Sequence, residues 1–152
     1  MGYIGNLNLV NHNSNINVQN QGVIQNTNSH NHGSQGTTNI ANNGYMGNVN
    51  ANTYNAHTNI ANNGFMNNLN AKDQNDDTNI FNSGRINNAN LTANGALGLI
   101  NLTNTGSMGK VNADANYGGQ ININNMFGAM GQLFADASGS SHGKQSGINI
   151  LS

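Results

Sequence analysis

Thr38-Asn39-Ile40-Ala41-Asn42-Asn43-Gly44-Tyr45-Met46-Gly47-Asn48-Val49-Asn50 returns 20 residues later as Thr58-Asn59-Ile60-Ala61-Asn62-Asn63-Gly64-Phe65-Met66-Asn67-Asn68-Leu69-Asn70. It returns again as Thr78-Asn79-Ile80-Phe81-Asn82-Ser83-Gly84-Arg85-Ile86-Asn87-Asn88-Ala89-Asn90. Self-similarity at a fixed period of this size marks an architecture of stacked repeats. Anchored on its glycine, the pattern extends to Gly2, Gly22, Gly44, Gly64, Gly84, Gly106 and Gly128, spaced by 20 or 22 residues. An apolar residue follows each glycine by two: Ile4, Ile24, Met46, Met66, Ile86, Met108, Met130.

Other columns run in phase with these. Five residues after Gly stand Leu7, Thr27, Val49, Leu69, Ala89, Val111 and Leu133; seven after stand Leu9, Ser29, Ala51, Ala71, Leu91, Ala113 and Ala135. Before Gly come an apolar column, Val18, Ile40, Ile60, Ile80 and Leu102, and an amide column, Asn20, Asn42, Asn62, Asn82 and Asn104. In the seventh copy these two slots become Asn124 and Met126, and the pattern degrades. Two further Asn columns, Asn6 to Asn88 and Asn8 to Asn112, lapse at Lys110, Gln132 and Phe134.

Period-2 alternation of apolar residues predicts strands, with successive side chains on opposite faces. The switch of parity between two and five residues after Gly predicts a corner at which the chain turns. Each copy then reads as strand, arch, strand and a Gly, Asn and Ser-rich return loop. A helix is excluded by the apolar spacing and by the poor helix propensity of Asn and Gly. The expected fold is all-β: a β-solenoid of about seven strand–arch–strand rungs over residues 1–137, a flexible linker over 138–147 and a terminal half-rung strand over 148–152.

Composition explains why such a chain must stack. Only 35% of its 152 residues are hydrophobic and 6% are charged, against about 45–50% and ~25% in ordinary domains. A thick apolar core is out of reach, yet the low charge also argues against ordinary disorder. In a stack, equivalent residues lie about 4.8 Å apart, so an inward Asn42 can bond Asn62 above and Asn20 below in an amide ladder. Like charges at that spacing repel by about 1 kcal/mol even in water. The charges are accordingly sparse and read mostly as loop residues (Lys72, Asp73, Asp76, Asp77, Arg85, Lys110, Lys144), with Asp114 over Asp136 the exception. Proline is absent, as expected where every strand N–H is needed by a neighbouring rung.

The net charge of −1 removes the electrostatic footprint for nucleic acid, and no apolar run is long enough to span a membrane. With no Cys, no Glu and no Ser–His–acid grouping, no catalytic residue and no cofactor is expected. His30 and His32 have an H-x-H spacing that can clasp a metal from one strand face, though neither Cys nor a carboxylate stands beside them, and loop histidines are the plainer reading. His12, His57 and His142 read as isolated, and Asp73, Asp76 and Asp77 as a solvated loop without calcium-loop spacing. Thr38, Thr58 and Thr78 hint at a flat ice-binding face, but they form one column over three rungs and lack the Thr-x-Thr doublets such a face would want.

The 20–22-residue unit, Ile-x-Asn-x-Gly followed by Asn, resembles the repeat of curli subunits, the amyloid fibres of bacterial biofilms. That repeat reads S-x5-Q-x-G-x-G-N-x-A-x3-Q. Here Asn42, Asn62 and Asn82 stand where its first Gln would, and Gly44, Gly64 and Gly84 match its Gly, over roughly residues 16–137. Asn falls four rather than three after Gly, and the second Gln column is absent. The resemblance implies secretion and β-solenoid fibres, hence an extracellular or cell-surface protein. The N-terminus Met1-Gly2-Tyr3-Ile4-Gly5-Asn6 carries no visible signal peptide, which fits a mature form and leaves the cytoplasm open as well.

Open solenoid edges recruit strands. The chain starts at the Gly of its first copy (Gly2, Ile4, Leu7, Leu9) and ends in Gly147-Ile148-Asn149-Ile150-Leu151-Ser152, which reads as a first strand without its second. The expected partner is therefore another copy of the chain: a homopolymer in which these two half-rungs complete one turn. The alternative is a soluble β-solenoid that binds ice, polysaccharide or metal.

Overall fold

The structure, a computed structural model, describes residues 2–34 and 36–152. The chain runs β1 (Tyr3–His12), β2 (Asn15–Asn20), β3 (Val23–His32), β4 (Thr37–Asn42), β5 (Tyr45–Tyr54), β6 (His57–Asn62), β7 (Phe65–Gln74), β8 (Asp77–Asn82), β9 (Arg85–Asn94), β10 (Leu99–Asn104), β11 (Ser107–Asn116), β12 (Gln120–Asn124), β13 (Ala129–Ser138), β14 (Ser140–Ser141), β15 (Lys144–Gln145) and β16 (Gly147–Leu151). The long strands form one seven-stranded parallel sheet in the order β1-β3-β5-β7-β9-β11-β13; the short ones form a second, β2-β4-β6-β8-β10-β12-β16. Every rung contributes one strand to each sheet, so the molecule is a two-sided β-solenoid.

The rungs stack in the register that the glycines set. The amides of Tyr45, Phe65 and Arg85 donate to the carbonyls of Gly22, Gly44 and Gly64 at 2.9 Å, and Ser107 donates to Gly84 at 2.8 Å. Gly44, Gly64, Gly84 and Gly106 thus lie in line along the stack. A Cβ on any of them would run into the carbonyl oxygen of the glycine one rung below, which is why the column admits no other residue.

Two details differ from expectation. The arch lies at the glycine itself, between β4 and β5 at Asn43 and Gly44, and not after it. The parity switch that predicted a corner is instead one extra residue within each long strand. Pairing of β3 with β5 passes from Ile24↔Met46 to Asn26↔Asn48 and skips Gln25 and Gly47 together; Met46 and Val49 both face inward while Asn48 is exposed. Because every rung kinks at the same place, the register is kept while the side chains are re-aimed as a turn would re-aim them, without ending the strand. The second difference is in the seventh copy. There β10 pairs with β12 through Leu102↔Ile123 and Thr103↔Asn124, so Ile123 and Asn125, not Asn124 and Met126, continue the two columns. The arch before Gly128 has taken up one of the two inserted residues, and an anchor on glycine misplaces everything before it.

The opposite corner needs left-handed backbone in every rung. Asn13, Asn55 and Asn75 take φ of 52°, 51° and 63°, Gly33 and Gly95 take 112° and 84° where the turn is longer, and Tyr117 and Gly118 take 54° and 89° in succession. Asn and Gly are the residues that tolerate this conformation. Residues 138–147 are not the unstructured connection expected of them: β13 extends to Ser138 and β14 pairs antiparallel with β15 in a small hairpin. Beyond it β16 joins β12 in parallel as the last strand of the short sheet.

The core is a thin seam between the sheets. Ile40, Ile60, Ile80 and Leu102 from the short strands meet Ile24, Met46, Met66, Ile86, Met108, Val49, Leu69 and Val111 from the long ones, all buried. Met130 and Leu133 on β13 pack against this seam but are only partly buried, because no rung covers them. Each fully buried Ile or Leu contributes about 1.5–3 kcal/mol.

Gly64→Ala should lower stability by about 1–3 kcal/mol, since the clash is with backbone and not with a mobile side chain. Gly2→Ala, at the same column position but with nothing within 4 Å of its Cβ, should leave the isolated chain unchanged. Chemical denaturation of the two variants measures the difference.

Candidate functional site: amide ladders, open edges and an acidic corner

The predicted inward ladder is present. Asn20, Asn42, Asn62, Asn82 and Asn104 are buried, and each donates from its amide nitrogen to the next amide oxygen at 2.8 Å through Asn104, which in turn donates to Asn125 at 2.6 Å. Each also holds the arch. The nitrogen of Asn42 reaches the Phe65 carbonyl at 3.0 Å, and its oxygen accepts from the Gly44 amide at 3.2 Å. One short side chain therefore ties two rungs and a corner together, and none of its polar atoms is left dry.

Outside, three more ladders run along the stack. Asn6 to Asn88 and Asn8 to Asn112 lie on the long sheet. On the short sheet, Asn17, Asn39, Asn59, Asn79, Asn101, Asn122 and Asn149 are joined at 2.7–3.1 Å without a break. This last column was overlooked in the sequence, although Thr-Asn-Ile opens all three quoted copies. The ladders have direction. In the outer ones every nitrogen donates towards β1, whereas in the buried one every nitrogen donates towards β13.

The threonine column that hinted at an ice-binding face points inward. Thr38, Thr58 and Thr78 are buried, because they share parity with Ile40, Ile60 and Ile80. They face a further inward column missed in the sequence, Asn11, Asn31, Thr53, Asp73, Ala93 and Ala115; Thr53 and Thr58 bond across the seam at 2.7 Å. Carrying the alternation of the long strand two residues further would have found it. Asp73 is thus no loop residue: it is wholly buried, and among the described residues neither carboxylate oxygen has a hydrogen bond of normal length, the Thr78 hydroxyl and Leu99 amide lying close enough only for a weak stabilisation. Burial pushes its pKa from 3.8 up to about 8, and the charges of Asp76 and Asp77 add to the shift.

The other titratable groups sit on the surface. His30 and His32 are exposed on β3; His32 packs edge-on to His12 at 5.6 Å and stacks on Tyr54 at 4.9 Å. Among the described residues no third ligand group joins that pair. The cluster the structure does assemble is His57, Asp76 and Asp77, whose ligand atoms lie within 4.8 Å of one another. Asp114 stacks under Asp136 as the repeat required.

At the two ends of the stack the edges of β1, β2, β13 and β16 face no further strand among the described residues. Exposed apolar side chains concentrate there: Tyr3, Ile4 and Val10 on β1, Phe134 on β13, Ile150 and Leu151 on β16, and Met126 and Phe127 in the arch before β13. Gly2 is exposed, while Leu7, Leu9 and Ile148 are half-buried. Compared with family models, curated proteins and solved structures, the chain matches none.

Two outcomes follow from these interior groups. Asn62→Ala should cost about 3 kcal/mol, because it strands the Asn42 donor and the Asn82 acceptor in the interior; exposed Asn68→Ala should cost under about 1 kcal/mol in the same denaturation assay. Unfolded, Asp73 loses its proton near its ordinary pKa, and folded only near 8. Between those values the folded chain holds one more proton, so stability falls as pH rises from about 4 to about 8 and then levels off. Asp73→Asn should flatten that slope and raise the denaturation midpoint at pH 8.

Proposed function

We propose that this chain is a structural subunit that adds end to end into cross-β fibres, of the curli-like amyloid type that its repeat resembles, outside the cell. The observation that carries the reading is the match between the two ends of the stack. Laid on β16, the β2 strand of a next copy in continued register sets Ile16 against Ile148, Asn17 against Asn149 and Val18 against Ile150. Laid on β13, the next copy's β1 sets Ile4 against Met130, Leu7 against Leu133 and Leu9 against Ala135. The inward columns then meet their own kind, whereas on the outer face Asn8 would lie against Phe134 and Val10 against Asp136.

The hydrogen bonds match as well. Among the described residues no side-chain amide donates to the Asn149 oxygen at one end, and none accepts from the Asn17 nitrogen at the other. Donor meets acceptor only when copies add head to tail, which gives a heterologous contact that does not close and so a filament. The apolar side chains exposed at both ends would be covered by the same step. One feature favours a second reading. Phe81 stands exposed on the short sheet beside the Asn59–Asn79–Asn101 ladder, and an aromatic among regularly spaced amides suits a polysaccharide chain.

The purified protein at micromolar concentration should form fibres in the electron microscope, with diffraction at about 4.8 Å along the axis. A purely monomeric mass would turn the argument to the polysaccharide reading. Because the chain has no Cys, its register can be read directly: Asn17→Cys mixed with Asn149→Cys should give disulfide-linked dimers under mild oxidation, Cα atoms of neighbouring strands being within disulfide reach. Ile150→Lys, at a half-exposed position, should leave the monomer folded and abolish elongation.

A further inference from the structure

We propose that His57, Asp76 and Asp77 bind a transition-metal dication of the zinc class. The site does not depend on polymerisation. His57 opens β6, Asp77 opens β8 one rung further along, and Asp76 closes the corner between β7 and β8. The backbone there is fixed. Asn75 takes the left-handed conformation, its amide donates to the Asn94 carbonyl at 3.2 Å, the Asp76 carbonyl accepts from Leu99 at 2.8 Å, and the His57 amide donates to Gly36 at 3.1 Å. The Asp76 carboxylate is itself aimed, since its Oδ1 accepts from the Asp77 amide at 2.9 Å.

The donor set and spacing suit the ion. His57 Nδ1 lies 3.0 Å from Asp76 Oδ1, and all three ligand atoms fall within 4.8 Å of each other. Tetrahedral zinc with ligands at about 2.0–2.1 Å places them about 3.3 Å apart, so His57 and Asp76 are nearly in position. Asp77 closes the rest by side-chain rotation. One imidazole with two carboxylates fits zinc and its neighbours better than calcium, which takes six to eight oxygens. Water completes the shell on the exposed side of His57.

The corner also lacks compensation. Asp76 and Asp77 are neighbours in sequence, and their charges reach the buried Asp73, whose proton they help to hold, so Asp73 itself adds no charge at neutral pH. Among the described residues the only ion pair at this corner is with His57. Lys144 of the hairpin lines the same groove as Asp77 without pairing to it. A dication would neutralise what the stack otherwise leaves repelling.

Titration of zinc chloride into the untagged protein, followed by calorimetry at neutral pH, tests the site. One equivalent should bind in the micromolar range. His57→Ala and the double variant Asp76→Asn/Asp77→Asn should each weaken binding at least tenfold, while His30→Ala/His32→Ala binds as the wild type does. Circular dichroism establishes that the variants, all changed at solvent-accessible positions, remain folded. The proposal is overturned if the wild type binds no zinc, if His57→Ala binds unchanged, or if the loss falls on His30→Ala/His32→Ala instead.

Discussion

The distance of about 4.8 Å between hydrogen-bonded strands governs this molecule. Once rungs stack in register, a residue's nearest neighbours are its own counterparts above and below, so each column admits only side chains that tolerate a copy of themselves. Asn qualifies because its amide is both donor and acceptor, and one orientation repeated along the column satisfies every member. Glycine qualifies at the arch because the backbone of the next rung occupies the place of its Cβ. Charge does not qualify, and proline would remove a ladder bond.

The buried and exposed ladders solve different problems. A buried amide without partners costs about 1–3 kcal/mol, so the inner column is tolerable only because Asn42 and its counterparts also hold the arch through the Phe65 carbonyl and the Gly44 amide. A longer Gln would overshoot those backbone groups. The outer ladders trade bonds with water for bonds with each other and stabilise little, but they fix register. Sliding one rung by a single residue would break every column at once, which substitutes for the specificity that a thick core provides elsewhere.

How much of this was legible depended on where a signal is periodic. The glycines, the Ile40–Ile60–Ile80 column and the Asn42–Asn62–Asn82 ladder repeat identically, and their stacking could be read from the letters alone. The Thr38–Thr58–Thr78 column was equally visible, but threonine suggests a surface, and only its parity with Ile40 shows that it is buried. The column through Asn31, Thr53, Asp73 and Ala93 was missed for the opposite reason: its members share a place but not a residue type. Asn125 was lost to a one-residue shift in an arch. The meeting of His57 with Asp76 and Asp77 could not be read at all without knowing that the second corner puts successive rungs directly over one another.

Those irregular columns also show where a stack of this kind can carry chemistry. A column of identical residues uses its polar groups on its own neighbours and leaves nothing for a ligand. Free valence arises only where one rung differs from the next. The column that opens the short strands, Thr37, His57, Asp77 and Leu99, changes at every step, and there imidazole and carboxylate face each other unsatisfied by repetition. The inward column changes too, from Asn31 and Thr53 through Asp73 to Ala93 and Ala115, so the seam is polar towards β1 and apolar towards β13. The interior therefore has a direction that the outer ladders alone would not give it. A fibre grown from such units would repeat that gradient once per subunit, and its weakest interior contacts would recur at the polar end of each copy, beside the junction and not across the apolar half.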